Sequence, residues 1–140
     1  MTQEQLLKDT IDYYSANPAK RRCISNRSST CYYSPEKAKK PLSEGCAIGR
    51  HLAPKTKIAF DALASSMFAI SAISAIMEVG ANKAMMPDWM QKMNPEFLRR
   101  VQGLHDWSEY WDVQGLTRDG KERVNDIINY FRLSMDRYTK

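Results

Sequence analysis

The sequence predicts an α+β fold that is mostly helical, with about four helices and a small antiparallel β-hairpin in one domain spanning residues 1–140. Amphipathic helical patterns lie towards both ends of the chain, and the helical period is lost from Cys23 to Leu52. Within that stretch, two short apolar or aromatic runs are bounded by Ser, Pro and Gly, which is typical of strands joined by a loop. A chain of this length can bury a core without disulfide bonds.

The first helix is predicted from Thr2 to Ser15. Thr2 and Gln5 have the spacing of a capping box, in which each side chain binds the other residue's backbone N–H. The apolar positions recur at helical spacing: Leu7, Ile11 and Tyr14. The helix ends before Pro18, because the residue that precedes a proline avoids helical geometry.

The hairpin is predicted between Cys31–Tyr33 and Cys46–Ile48, with a long exposed loop from Ser34 to Gly45. Successive side chains on a strand point to opposite faces of the sheet. Tyr32 and Tyr33 therefore cannot both contact a ligand, and one of them is expected in the core.

The segment 58–79 is expected to be a buried helix. Its central part, Ala62 to Met77, contains sixteen residues without a charge. This run is shorter than the roughly 20 apolar residues of a membrane span, so the sequence favours a helix of the protein core. We expect this helix to contribute to a contact between subunits of a homo-oligomer as well.

Two further helices are predicted after a connection at residues 80–93. Asn94, Pro95 and Glu96 have the order of an N-cap, a first-turn proline and a first-turn acid, and this helix is expected to run to about Asp112. Thr117 is the predicted cap of the last helix. The apolar positions of that helix have regular spacing: Val124, Ile127, Ile128, Phe131, Met135 and Tyr138.

Positive charge is concentrated in the hairpin region, residues 20–57. It contains ten Lys or Arg and two Glu, a net charge of +8 in a chain whose total is +5. A local basic field attracts phosphates, nucleotides, nucleic acid or acidic protein surfaces, although a solvated loop is the ordinary alternative. Arginine forks suit phosphate and a tyrosine ring can stack on a base. The candidate ligand-binding residues follow from this chemistry: Arg22, Arg27, Tyr32, Arg50 and His51.

The cysteines offer two less favoured sites. Cys23, Cys31, Cys46 and His51 could hold zinc, but their gaps of seven, fourteen and four residues differ from the close pairs of structural zinc sites. Cys46 could act as a nucleophile with His51 or His105 as its base.

His105 and Glu109, four residues apart, could act as an acid–base pair on one helix, although such pairs are routine on helix surfaces. No phosphate-loop, dinucleotide or metalloprotease motif occurs, and we expect no metal and no cofactor.

Several short motifs carry a family resemblance: G-C-A-I-G-R at residues 45–50, L-H-D-W at 104–107 and G-L-T-R-D-G-K-E-R-V at 115–124. In this order they resemble a set of small proteins from tailed bacteriophages, most of them without assigned function. The resemblance implies a viral accessory protein that acts on the host and assigns no site residues.

The expected function is that of a non-enzymatic phage-type binding protein, whose basic hairpin holds a phosphate-bearing small molecule. In counter-defence this would be a nucleotide signal. Two alternatives remain open: an inhibitor that binds a host protein or nucleic acid, and a cysteine-dependent enzyme. Three cysteines without a visible secretory signal indicate the reducing cytoplasm of the host cell, and no association with a membrane is expected.

Overall fold

The computed structural model describes residues 1–25, 32–64, 73 and 75–139. Its elements, in chain order, are α1 (Gln3–Ser15), α2 (Pro18–Arg21), α3 (Pro35–Ala38), a 3-10 turn (Gly49–His51), α4 (Pro54–Ala64), α5 (Gly80–Lys83), α6 (Asp88–Gln91), α7 (Pro95–Asp106), a second 3-10 turn (Ser108–Tyr110), β1 (Trp111–Asp112), β2 (Gly115–Leu116) and α8 (Arg118–Phe131). The predicted fold class, mostly helical α+β with an antiparallel hairpin, is confirmed. More helices occur than the four predicted, because several connections contain a single helical turn.

At three helix starts, the predicted capping residue forms the expected hydrogen bond. Thr2 and Gln5 form both hydrogen bonds of the capping box of α1. Asn94 accepts a hydrogen bond from the backbone N–H of Glu96 at the start of α7. Thr117 accepts one from the backbone N–H of Gly120 at the start of α8. These caps satisfy N–H groups that lack a partner within the helix.

The predicted position of the hairpin is wrong. The antiparallel pair joins Trp111 to Leu116 and Asp112 to Gly115. Tyr32–Tyr33 and residues 46–48 are not strands, and Cys31 lies outside the described residues. The predicted loop after Tyr33 contains α3.

Close packing explains why residues 45–49 form turns. Gly45 has a φ of +124°, and a Cβ atom on Gly49 would collide with the carbonyl oxygen of Tyr33 and would lie only 2.8 Å from its Cα. The backbone N–H of Ile48 binds the side-chain oxygen of Gln102 at 3.2 Å, so a side chain of α7 occupies a donor that a strand would offer to its neighbour. Tyr33 is buried and Tyr32 is half-buried, so the expectation that one of them enters the core is confirmed.

The predicted helix to Asp112 is too long, because α7 ends at Asp106. The ring of Trp111 turns back, and its indole N–H donates to the carbonyl of Leu104 at 2.7 Å. This places Glu109 in a 3-10 turn, exposed to solvent, so the less favoured alternative of an acid–base pair between His105 and Glu109 on one helix does not form. His105 contacts Asp106 instead, with 2.6 Å between Nδ1 and Oδ1.

The core lies between α1, α7, α8 and the segment 45–52. Helix α1 packs on α7 and on β2, and α7 packs on α8. The large side chains with almost no exposure include Leu6, Leu7, Tyr14, Tyr33, Ile48, Phe97, Leu104 and Ile127. Helix α8 ends at Phe131, where Arg132 adopts left-handed backbone geometry, so Met135 and Tyr138 belong to a non-helical tail and not to the predicted helix face.

The predicted core helix 58–79 falls partly on residues 65–72 and 74, which lie outside the described residues. Its beginning is helical in α4, where Phe60 is buried and Ile58 is exposed. In the ranges that are described, no helix combines the length and the apolar character needed to cross a membrane. The predicted contact between subunits through this segment stays a prediction.

Candidate functional site

Arg22, one of the candidate ligand-binding residues, contacts the C-terminal end of α7. Its Nε donates to the carbonyl of His105 at 2.8 Å, and its Nη2 donates to the carbonyl of Asp106 at 3.1 Å. These carbonyls have no partner within the helix and lie at the negative end of its dipole. The guanidinium group therefore joins the basic region to α7.

Arg50 is held by carboxylates and by an aromatic ring. Its Nη1 donates to Asp9 of α1, and its Nη2 lies 3.6 Å from a carboxylate oxygen of Glu44. The guanidinium carbon lies 3.9 Å from the ring centroid of Tyr13, and that of Arg21 lies 4.6 Å from the same centroid. Both arginines thus form cation–π contacts with α1.

His51 is a neutral side chain next to Asp9. Burial, and then the charge of Arg50, lowers the pKa of His51 to about 4, although the Asp9 carboxylate opposes this shift. The distance of 3.5 Å between Nε2 and Asp9 Oδ2 is consequently not an ion pair at neutral pH. The imidazole packs edge-to-face against Trp89, with 5.4 Å between the ring centroids.

The candidate residues are only partly brought together. Arg50 and His51 share Asp9, whereas Arg22 lies at the end of α7, and the backbone N–H of Tyr32 binds the carbonyl of Cys23. Arg27 lies outside the described residues. Arg50 Nε and His51 Nε2 are buried and have no hydrogen-bond partner among the described residues.

A separate group of lysines, which we call the lysine surface, consists of the exposed Lys20, Lys37 and Lys39 and the half-buried Lys40. Two hydrogen bonds hold its segments together, from Lys40 Nζ to the carbonyl of Ala19 and from Ser43 Oγ to the carbonyl of Arg21. Lys20, Lys37 and Lys39 are exposed, and no described carboxylate forms an ion pair with them. Their charge is therefore available to a partner.

Asp61 holds the beginning of α3 beside α4. Its carboxylate accepts hydrogen bonds from the backbone N–H groups of Tyr33 and Ser34, at 2.6 and 3.0 Å, and from the hydroxyl of Ser34. Burial raises the pKa of Asp61, and these three donors oppose the shift. Asp61 thus fixes the position from which Lys37 and Lys39 extend.

The described cysteines lack the character of nucleophiles. Cys46 is buried, and burial raises its pKa well above the usual value. Burial also raises the pKa of Cys23 to about 12. Both thiols are protonated at neutral pH, which is unfavourable for attack on a substrate. In the described ranges no three metal-ligating side chains come together, and the zinc hypothesis also requires Cys31, which lies outside them.

His105 is part of a saturated buried network. Its Nδ1 lies 2.6 Å from Asp106, and its Nε2 accepts the backbone N–H of Cys23 at 3.0 Å. The ring also packs against Tyr14. Burial lowers the pKa of His105 although Asp106 opposes the shift, so the neutral imidazole joins α7 to the basic region.

Asp9 and Tyr13 of α1 contact the basic region and were not among the predicted site residues. Their spacing of four residues places them on one face of α1, and that spacing was the available signal. The chain matches no family model, no curated protein and no solved structure.

Proposed function

We propose that this chain is a non-enzymatic binding protein that holds a phosphate-bearing partner on its lysine surface. The observation that carries the proposal is the exposure of Lys20, Lys37 and Lys39 without a described carboxylate partner, in a region of net charge +8. An ammonium group is a strongly hydrated point charge that binds phosphate without a fixed orientation. Binding is therefore expected to follow the charge of the partner.

The arginines have a supporting part in this proposal. Arg22 binds the end of α7, whereas Arg21 and Arg50 contact Tyr13 of α1. These contacts fix the basic region on the core and leave the lysines as the groups that meet the partner. In this proposal Arg22 and Arg50, which the sequence predicted as ligand contacts, position the basic region and do not touch the partner.

An extended polyanion fits the lysine surface better than a free nucleotide does. Small-molecule sites are concave and enclose most of the ligand. Two cavities of the described structure have no lining residue within 20–57: one is lined by α1, α8 and the C-terminal tail, and the other by α1, α6 and the residues just after α6. Single-stranded nucleic acid needs no such enclosure, since a basic surface can follow its backbone. In the phage setting that the motif resemblance implies, that partner would belong to the host.

The test uses a matched pair of double variants. Lys37→Gln with Lys39→Asn removes two charges from the lysine surface, whereas Lys83→Gln with Arg132→Asn removes two charges elsewhere. Lys37 and Lys83 both lie in the last turn of a four-residue helix, and Lys39 and Arg132 are both left-handed helix caps. Asn tolerates that backbone geometry, so both variants keep the left-handed helix cap.

Binding of a labelled single-stranded oligonucleotide is measured by fluorescence anisotropy over a range of salt concentrations, with a panel of nucleotides as competitors. The first variant is expected to lower the slope of log affinity against log salt by roughly 1 to 1.5, and the control is expected to leave it unchanged. Equal slopes for the two variants, or no binding to any polyanion at low salt, would refute the proposal. Tight binding of a free nucleotide alone would favour the original small-molecule hypothesis.

A further inference from the structure

The C-terminal tail, which we define as residues 132–138, leaves α8 through a strained turn. Arg132 has left-handed backbone geometry with a φ of +52°, and its N–H donates to the carbonyl of Asn129. The N–H of Leu133 donates to the carbonyl of Ile128 at 2.9 Å. These two bonds form the Schellman turn that often ends a helix, and its left-handed position is usually a glycine. A residue with a Cβ atom disfavours that position, so this end of α8 opposes the backbone preference of an arginine.

Side chains of α1 and α8 hold the backbone of the tail. Glu4 accepts a hydrogen bond from the N–H of Ser134 at 3.0 Å, and Asn125 binds both the N–H and the carbonyl of Tyr138 at 2.8 Å. The apolar side chains of Met135 and Tyr138 are only half-buried, and a cavity of about 580 Å³ opens between the tail and the two helices. A segment with so little burial belongs to the parts of a protein that open locally at low cost.

The sequence of the tail is compatible with a second conformation. The apolar positions of α8 continue through the tail at helical spacing, at Phe131, Met135 and Tyr138. The tail contains neither glycine nor proline, so it has no strong helix breaker. A helix that continued to Tyr138 would have Arg137 in its last turn, where a cation interacts favourably with the helix dipole. It would also return Arg132 to the right-handed geometry that an arginine prefers.

We propose that the C-terminal tail is a conformational switch with two states. In the first state, which is the state of this structure, the tail is a strap on α1 and α8. In the second state the hydrogen bonds to Glu4 and Asn125 are broken, Arg132 is helical, and α8 continues for about two more turns. The second state exposes Ile11 and Val124, which line the cavity beneath the tail. The switch thus changes the apolar surface that the protein presents, and its contacts on α1 and α8 are separate from the lysine surface.

The test follows the conformation of the tail by NMR in the whole chain, through the Cα chemical shifts of residues 133–138. Asn125→Ala removes the two hydrogen bonds that hold Tyr138 and should lower the ratio of strap to helix roughly tenfold. The chemical shifts of the tail should therefore move towards helical values. Asp126→Ala changes the exposed neighbouring position of α8 and should leave the chemical shifts of the tail unchanged.

The role of Arg132 is tested in the Asn125→Ala protein. Adding Arg132→Gly favours the left-handed turn and disfavours the helix, so the helical shifts should be lost. Adding Lys39→Gly is the matched control, because Lys39 ends α3 in a left-handed turn of the same type, and the helical shifts should persist.

Two results in Asn125→Ala would overturn the proposal: chemical shifts of a disordered chain, which would show that the released tail only frays, and unchanged chemical shifts. Helical shifts that persist after Arg132→Gly would overturn it equally, because the turn at Arg132 would then not control the switch.

Discussion

The structural role of Arg22 leads to a prediction that separates a helix cap from a ligand contact. Arg22 donates two hydrogen bonds to the last carbonyls of α7, and its side chain is half-buried. In Arg22→Ala both carbonyls lose a charged donor, and the favourable interaction of the guanidinium group with the helix dipole is lost with it. A ligand contact on the surface would cost no stability when removed.

The expected loss is worked from these two bonds. Hydrogen bonds to charged groups contribute roughly 1.5–3 kcal/mol each, and a cation at a helix C-terminus adds about 0.3–1 kcal/mol. Because Arg22 is only half-buried, water can replace part of this interaction, and we expect a loss of about 2–3 kcal/mol in the free energy of unfolding. For a chain of this size that corresponds to a fall in melting temperature on the order of 10 °C.

The assay is urea unfolding followed by circular dichroism, with Lys20→Ala as the neighbouring control. Lys20→Ala removes an exposed charge and should change the unfolding free energy by less than about 0.5 kcal/mol. Arg22→Lys keeps the charge and loses the planar fork, so it should be intermediate. If Arg22→Ala unfolds at the same urea concentration as the original protein, Arg22 is not a cap of α7 and the ligand hypothesis regains its strength.

Three further outcomes are expected. Because burial raises the pKa of Cys46, the folded protein at neutral pH should leave this thiol unmodified by iodoacetamide, and rapid labelling of Cys46 in a peptide map would restore the cysteine-enzyme hypothesis. His51 has a pKa of about 4 in the folded protein against 6.5 for an unperturbed histidine, so the unfolded chain binds more protons between these two pH values. The contribution of His51 to the free energy of unfolding should therefore be complete above pH 6.5 and should be lost as the pH falls towards 4. In His51→Asn the free energy of unfolding should fall less over the same pH range. The side chain of Asn125 makes two hydrogen bonds with the backbone of Tyr138, so Asn125→Ala should release the C-terminal tail and increase its cleavage by trypsin, and equal cleavage rates would show that other contacts hold the tail.

Local rules predicted the helix starts, because a cap depends on residues within one turn. Thr2 with Gln5, Asn94 with Glu96 and Thr117 with Gly120 all act over two or three positions. The turns of residues 45–49 cannot be predicted from residues two or three positions away. Their turns depend on Gln102 and on the backbone of Tyr33, and these contacts arise only when the chain is folded.

The same limit applied to the helix that was predicted to reach Asp112. Its period continues past residue 106, but Arg22, more than eighty positions earlier in the chain, binds its last carbonyls. The hairpin then begins at Trp111, whose indole binds the carbonyl of Leu104. A helix end that is determined by long-range contacts carries no signal in its own sequence.

From the sequence, the candidate site could be predicted as a region of positive charge, but the positions of its side chains could not be predicted. The difference between arginine and lysine explains why. A guanidinium group is planar, weakly hydrated and able to form several hydrogen bonds at once, so it can be partly buried against carbonyls, carboxylates and aromatic rings. An ammonium group retains more of its hydration and favours the surface. In residues 20–57 the three described arginines, Arg21, Arg22 and Arg50, contact the protein itself. Lys20, Lys37 and Lys39 are exposed. A net charge counted from the sequence adds these two groups together, although among the described residues they differ in exposure. For a basic segment on a small helical domain, we therefore expect the number of exposed lysines to follow anion binding, and the number of arginines to follow how firmly the segment is attached to the core.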